Sequence, residues 1–386
     1  MATELIETER PVRSASSAPA IVRPRRSSAV AGPAMAPFVS IIVVNYNRKH
    51  FLRDCLASLA DQTYPPDRRE VILVDNGSSD GSAEYVRQRF PWVRLVSLSR
   101  NWGFARGNNI GFQHARGELI ALLNNDAVAE PGWLAALTDA LRQGSAIGAV
   151  TSKILFLHQP GIINSAGLNL YRDGRGGDRG FRQPDRGQFD KPAEVFGACG
   201  ASMLVRRAML DDVGFFDETF GMYYEDLDLA WRGRLRGWRF HYTPEAVVHH
   251  VHCGTSGEWS PFFLYHVERN RVFASIKNGP ARLALRTLAV FCARAARKWL
   301  RVATFVERDA VSRRQALAYI PAGLSLAWHL PEMFWKRLQI RRLRSRVPDL
   351  SLATLASCAT AVPPAAEHAE IPDRRPADRR VQHIDS

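Results

Sequence analysis

From residue 38 onward, short apolar runs alternate with segments whose apolar residues recur every three or four positions. Val39-Ser40-Ile41-Ile42-Val43-Val44 is a nearly unbroken β-branched run, the pattern of a strand buried on both faces of a parallel sheet. Phe51, Leu52, Cys55, Leu56 and Leu59 follow at helical spacing. A second buried run, Val71-Ile72-Leu73-Val74, ends at Asp75 and enters the turn-rich Asn76-Gly77-Ser78-Ser79-Asp80-Gly81, which caps a helix around Ala83 to Arg89. The pattern predicts a strand over Val93 to Leu98, a helix over Asn108 to Ala115, a strand over Leu119 to Leu123 and a helix over Gly132 to Leu141. Such alternation with short connections is the signature of an α/β sheet wound by right-handed crossovers. Ligands of these sheets bind beyond the carboxyl ends of the strands, where Asn45, Asp75 and Asn124-Asn125-Asp126 fall.

Beyond this part, Tyr171 to Pro192 is rich in Gly, Arg and Asp and reads as a mobile loop; order resumes over Val195 to Val205. A polar and aromatic block spans Phe215 to His252, and from Pro280 the chain turns helical and basic. The expected division is a disordered tail at 1–36, the α/β domain at 37–279, a basic amphipathic helical region at 280–350 and a second disordered tail at 351–386. The N-terminus lacks the apolar core of a secretory signal. No stretch approaches the roughly 18 to 20 apolar residues that span a bilayer. Ala316 to Leu330 comes nearest, but it is short, carries Pro321 and His329, and reads as a packed or interfacial helix. Five dispersed cysteines fit reduced thiols in the cytoplasm better than a disulfide framework or a zinc site.

The net charge of +14 is unevenly placed. Between Pro280 and Leu350 stand 15 Lys and Arg against 4 Asp and Glu, so the body of the chain is nearly neutral. Stacking aromatics and a reading motif are not evident beside these charges, so nucleic acid is not an expected partner.

Three clusters offer chemistry. Asp126, on a tight turn after a buried strand, can bind a hard cation such as Mg²⁺ or Mn²⁺ that also grips phosphate oxygens, or it can simply end the strand. Tyr223-Tyr224-Glu225-Asp226-Leu227-Asp228-Leu229 crowds three acids among aromatics, which raises carboxyl pKa values and suits a general base. The plainer account makes Asp228 a helix-capping acid, with Glu225 and Asp226 paired to Arg232 or Arg234. His250 and His252 share one side of an extended segment, a credible metal or phosphate contact. A weaker signal is Asn101-Trp102-Gly103-Phe104-Ala105-Arg106-Gly107-Asn108-Asn109, a Gly-containing turn whose helix start could cradle an anion.

Taken in order, the motifs resemble glycosyltransferase family 2, most closely its rhamnosyltransferase-type branch. The matching stretches are Val-Asn-Tyr-Asn at 44–47, Val-Asp-Asn-Gly-Ser-Ser-Asp-Gly-Ser at 74–82, Asn-Trp-Gly-Phe-Ala-Arg-Gly-Asn-Asn at 101–109 and Leu-Asn-Asn-Asp-Ala at 123–127. Gly-Ala-Cys-Gly-Ala-Ser-Met-Leu-Val-Arg-Arg at 197–207 and Tyr-Tyr-Glu-Asp-Leu-Asp-Leu at 223–229 complete them. The resemblance covers about residues 38–278 and implies a GT-A fold, a Rossmann-like mixed sheet flanked by helices, with transfer that inverts the anomeric carbon. It implies that Asn45 and Tyr46 lie against the nucleoside, that Asp75 hydrogen-bonds the base, and that Asn101, Gly103, Asn108, Asn124 and Asn125 belong to the donor side. Asp126 matches the last acid of the family's Asp-x-Asp metal motif, whose first acid is here Asn124. Asp226 matches the catalytic base with Glu225 beside it; His250, or else His252, completes the metal shell; Gly200, Ala201 and Ser202 face the sugars.

The implied donor is a nucleotide-diphospho-sugar, with deoxythymidine-diphosphate-rhamnose the guess, and the implied acceptor a glycan or lipid-linked glycan. The 280–350 region is expected either to pack on the domain or to bind an anionic membrane surface, on the cytoplasmic face of the inner membrane. Rival readings are a sugar nucleotidyltransferase, a basic nucleic-acid-binding protein, and a catalytically silent membrane-bound relative.

Overall fold

The unbroken β-branched runs become the parallel half of a mixed sheet. Strand β1 (Val39–Asn45) is followed by helix α1 (Lys49–Ala60), β2 (Arg69–Asp75), α2 (Ser82–Arg89), β3 (Arg94–Ser97), α3 (Phe104–His114) and β4 (Leu119–Leu123). β1 lies between β2 and β4, all parallel, with β3 outside β2. In this computed structural model residues 35–252, 259–304, 306 and 309–343 are described. Those from Pro37 onward belong to one compact unit. The tails expected at 1–36 and 351–386 lie outside them, apart from Met35 and Ala36, as do Cys253 and Cys358.

The second half begins with the short β5 (Ala127–Ala129), α4 (Trp133–Arg142), β6 (Ile147–Phe156) and β7 (Gln159–Ser165). Then come β8 (Leu168–Leu170), β9 (Gly176–Asp178), β10 (Ala193–Val195), β11 (Ser202–Arg206), α5 (Arg207–Val213), α6 (Glu225–Leu235) and β12 (Arg239–His250). The sheet runs β10-β12-β6-β11-β4-β1-β2-β3, with β5 paired to β12 and β7 to β6. β11 is antiparallel to both its neighbours, which joins the parallel half to the rest. Three helices close the described chain: α7 (Pro261–Asn278), α8 (Ala281–Ala303) and α9 (Ala310–Leu343).

Two expectations change. Segment 171–192 is no mobile loop: β8 and β9 form a hairpin, the Tyr242 hydroxyl donates to the Phe189 carbonyl at 2.8 Å, and Lys153 pairs with Asp185 at 2.6 Å and Asp190 at 2.5 Å. Its glycines and charges make turns and ion pairs that replace an apolar core. Helix α3 starts at Phe104, four residues early, because Gly103 at φ 83° breaks the chain direction and the Ala105 amide bonds the Gly221 carbonyl at 2.9 Å. β12 is twelve residues long, with an irregularity between Thr243 and Val247 that spans Pro244.

Close packing presses α3 onto the sheet: a Cβ at Gly111 would lie 2.5 Å from Ile42 Cγ2. Gly77, at φ 77° in the turn after β2, is more constrained still, since a Cβ there would meet the Arg100 carbonyl carbon and Cα at 2.5 Å. Gly77→Ala is therefore expected to lower the urea midpoint, by about 1–3 kcal/mol of stability or more; a midpoint equal to that of the wild type would contradict this.

Candidate active site

Three strand ends are knitted together by side-chain amides. Asn45, at the end of β1, donates from Nδ2 to Asp75 Oδ1 at 3.3 Å and to the Ser78 hydroxyl at 3.2 Å. Its Oδ1 accepts from Asn125 Nδ2 at 2.7 Å. Asn45 and Asp75 are thereby buried within the protein and, with Asn108 and Ser202, are absent from the residues that line the cleft beyond the sheet edge. Asn108 donates to the Phe104 carbonyl inside α3, and the Ser202 hydroxyl bonds Ser152 and the Trp133 indole. The α3 start is no open anion cradle either, because the Gly103 amide is taken by Asn101 Oδ1 at 2.8 Å and the Ala105 amide by Gly221.

The cleft, of about 1820 Å³, does gather Tyr46, Asn101, Gly103, Asn124, Asn125 and Asp126 from the parallel half. Gly200, Ala201, Glu225, Asp226, His250 and His252 meet them from the other half. A backbone ladder brings Asp126 to His250: β5 is antiparallel to β12 with Ala127 opposite His250, and the Val251 amide donates to the Asp126 carbonyl at 3.0 Å. His250 Nε2 then lies 3.2 Å from Asp126 Oδ1, an oxygen that is buried and accepts no hydrogen bond among the described residues. Asn164 of β7, which sequence reasoning missed, orients both histidines. Its Oδ1 takes the His250 Nδ1 proton at 2.8 Å, and its Nδ2 meets His252 Nδ1 at 3.1 Å. With Nδ1 bound to Asn164, His250 turns Nε2 toward a carboxylate oxygen, and a cation could bridge the two.

The spacing fits one. Neighbouring ligands on an octahedral cation with bonds of about 2.1 Å lie about 3 Å apart. Among the described residues no group of three or more His, Cys, Asp and Glu is placed to hold a metal ion. Asp126 and His250 would hold two positions and leave the rest to water and phosphate, as Mg²⁺ or Mn²⁺ prefers. Asn124, where the family motif has an acid, instead donates from Nδ2 toward His250 Nε2 at 3.3 Å. Burial, His250 and Arg182 push the His252 imidazole down to about 4, so it is neutral at pH 7.

The acidic cluster divides by role. Asp228 is fully buried and accepts from Arg232 at 2.8 Å, Lys277 at 2.9 Å and Asn278 at 2.8 Å. Burial raises its carboxyl, but Lys277 and Arg232 outweigh this and hold it below the usual range. Among the described residues Glu225 and Asp226 find no arginine; Arg234 pairs with Glu194 instead, at 3.3 Å. Asp226 accepts from the Gly200 amide at 2.9 Å and the Leu227 amide at 2.7 Å, at the start of α6. Burial pushes both carboxyls up, and Glu225, 5% exposed with an unpartnered Oε2 and the Asp226 charge beside it, goes furthest. Glu225 therefore keeps the proton, and Asp226, held by two amides, is the carboxylate.

The turn that presents them is strained. Tyr223 and Tyr224 both have positive φ, at 66° and 69°. Asn270 of α7 holds it, donating to the carbonyls of Phe220, Met222 and Tyr223 at 2.9, 2.9 and 2.7 Å. The Tyr224 hydroxyl accepts the Gly176 amide at 3.1 Å and so ties the β8–β9 hairpin to the acids. That hairpin places Asp178 in the cleft with an unpartnered, buried Oδ1. Burial pushes its carboxyl up to about 6, with Ser165 opposing and the Asp226 charge adding. No sequence signal singled out Asp178 within a segment read as a loop.

Residues 40–214 match the family profile described as Glycosyl transferase family 2. The match takes in the strand ends and Asp126; Asp226 and His250 lie beyond it. The chain is 28% identical, over 65% of its own length and 90% of the relative's, to the N-acetylglucosaminyl-diphospho-decaprenol L-rhamnosyltransferase of Mycobacterium tuberculosis. It is 31% identical to the O-antigen biosynthesis protein RfbC of Myxococcus xanthus, over 55% of this chain and 17% of that one. Among solved structures it is similar in fold to GalNAc-T7 with UDP, GalNAc and Mn²⁺, at a TM-score of 0.52 and 17% identity, over 63% of this chain and 48% of that one.

The folded chain holds a proton on Asp178 that the unfolded chain releases from roughly pH 4 upward, so this residue makes stability fall as pH rises toward about 6. Asp178→Asn is expected to gain more stability over wild type at pH 7.5 than at pH 4.5 in urea titrations. An equal difference at both pH values would refute the assignment.

Proposed function

From the premise that the chain belongs to glycosyl transferase family 2, has the GT-A fold and is a glycosyltransferase, we propose that it moves a sugar, with inversion, from a nucleotide-diphosphate donor to a hydroxyl of a glycan or lipid-linked glycan. The observation that carries this reading is that Asp226 and the Asp126–His250 pair, from distant parts of the chain, line one cleft.

Asp226 accepts the proton of the acceptor hydroxyl, whose oxygen bonds to the anomeric carbon as the bond to the diphosphate breaks on the opposite face. The amides of Gly200 and Leu227 keep Asp226 ionised and aimed, while protonated Glu225 adds no competing charge. Tyr46 and Asn101 border the nucleoside end of the cleft, and Gly200 and Ala201 leave room for the sugar. Asp126 and His250 would hold a divalent cation, Mg²⁺ or Mn²⁺, which when bound supplies Lewis-acid neutralisation of the leaving diphosphate. Exposed Trp259 and Phe262 at the rim give the acceptor glycan flat apolar faces to stack on. Rhamnose as the transferred sugar and a lipid-linked acceptor are supported by the name of the M. tuberculosis relative. The reading includes peripheral attachment to an anionic bilayer, on its cytoplasmic face, through the 280–350 region.

Asp226→Asn is expected to lower kcat by about 10² to 10⁴ while leaving nucleotide-sugar binding, read by thermal shift, within about twofold. In the wild type the acid limb of the rate profile lies above the usual carboxylate range, since activity needs Asp226 ionised and its carboxyl is raised. Near-normal turnover in the variant, or release of pyrophosphate in place of a nucleoside diphosphate, would overturn the reading; the second result would favour a nucleotidyltransferase.

A further inference from the structure

Helix α9 is built inside out. Two of its charged residues, Lys336 and Arg337, turn toward the domain: Lys336 reaches Asp217 at 2.7 Å and Glu332 at 2.6 Å, and Arg337 donates to the carbonyls of Ile276 and Gly279 at 2.5 and 2.6 Å. Its inner apolar residues Ala322, Leu326 and Met333 pack on Val272, Phe273 and Phe291. The outer face carries Leu317, Ile320, Leu324, Trp328, Trp335 and Leu338, at three-, four- and seven-residue steps, all exposed; Leu324 is 68% and Trp328 82% open. Along about 32 Å of helix that face presents no charge. At both ends it is closed by arginine pairs, Arg313-Arg314 and Arg341-Arg342, also exposed; the described acid of α9, Glu332, stands beside the stripe, partly exposed and paired with Lys336 at 2.6 Å.

We propose that this outer face of α9 lies in the headgroup layer of an anionic bilayer, an inference that rests on the peripheral-membrane reading and assigns its contact to one helix face. The occupant is chosen by charge. A second copy of α9, parallel or antiparallel, would set arginine pair against arginine pair, whereas acidic lipid headgroups complement both ends at once. Two tryptophans on the apolar stripe suit the interfacial layer. No described helix is long and apolar enough to cross a membrane, so α9 lies along the surface. α8, with as many basic residues in a shorter helix, also exposes Leu285, Leu288, Trp299 and Leu300, but beside the exposed Arg286, Arg297 and Arg301, and its apolar run is shorter than that of α9. The stripe begins beside the cleft: Gln315, two residues before Leu317, lines it and donates to the Trp259 carbonyl at 2.9 Å. An acceptor anchored in the bilayer would enter there.

The test is flotation of the full chain with vesicles of phosphatidylcholine containing 30% phosphatidylglycerol, against phosphatidylcholine alone. The wild type is compared with Leu324→Glu/Trp328→Glu, whose substitutions are on exposed positions, with the thermal shift by nucleotide sugar as control for folding. Wild-type flotation with the acidic vesicles, reduced at least about tenfold in the variant with the nucleotide shift intact, is the expected result. Equal flotation of both proteins would remove the α9 assignment and leave the membrane reading standing; no flotation of the wild type would end both. A wild-type dimer that becomes a monomer in the variant, with flotation unchanged, would make the face a self-interface and overturn the inference.

Discussion

Three residues of antiparallel ladder bring together the two side chains that would hold a cation. β5 against β12 sets Ala127 opposite His250, and the adjoining Val251–Asp126 backbone bond brings a carboxylate and an imidazole from distant segments to 3.2 Å. Backbone pairing fixes positions more tightly than side-chain contact, because a one-residue slip would turn His250 to the other face of the sheet. β6 and β7 then bring Asn164 against the same histidine and select its tautomer. The long β12, irregular between Thr243 and Val247, pairs with β10, β6 and β5 and so carries His250 to the turn that follows β4.

The acid side depends on a different balance. Three carboxyls within one helical turn cannot all ionise in a buried site at equal cost. The chain meets this by giving each a separate surround: two cations for Asp228, two amides for Asp226 and no partner at Oε2 for Glu225. Asp228 thus fastens α6 to α7 through Lys277, which also reaches Asp217 at 2.7 Å, while Asp226 stays available to the cleft. The plain and the chemical accounts of the cluster each describe a different residue in it.

Much of the fold was legible because buried strands write themselves as unbroken β-branched runs, and the turns that follow them carry the Asn and Asp that face a cleft. Asp126 stands out on that ground, Glu225 and Asp226 by the crowding of acids among aromatics and His250 by the spacing of the histidines, and the four line one cavity. Asn45, Asp75, Asn108 and Ser202 share the same motifs, yet their side chains are consumed by bonds inside the protein, a distinction set by partners remote in sequence. Asn164 and Asp178 were invisible for the complementary reason: a single polar residue in a short strand or a glycine-rich segment acquires meaning only when a hairpin lays it beside other groups. The helical region reads as basic, with Ala316 to Leu330 a packed or interfacial helix; which residues of α9 face out is set by the partners that Lys336 and Arg337 find on the domain.

In the proposed mechanism Asp126 and His250 hold a divalent cation for the donor diphosphate. Electron paramagnetic resonance of the full chain with Mn²⁺ and a nucleoside diphosphate, with histidine labelled with ¹⁵N, reads this directly. Hyperfine coupling from one imidazole nitrogen, lost in His250→Ala, is expected. Absence of any nitrogen coupling in the wild type, or its persistence in that variant, would contradict it.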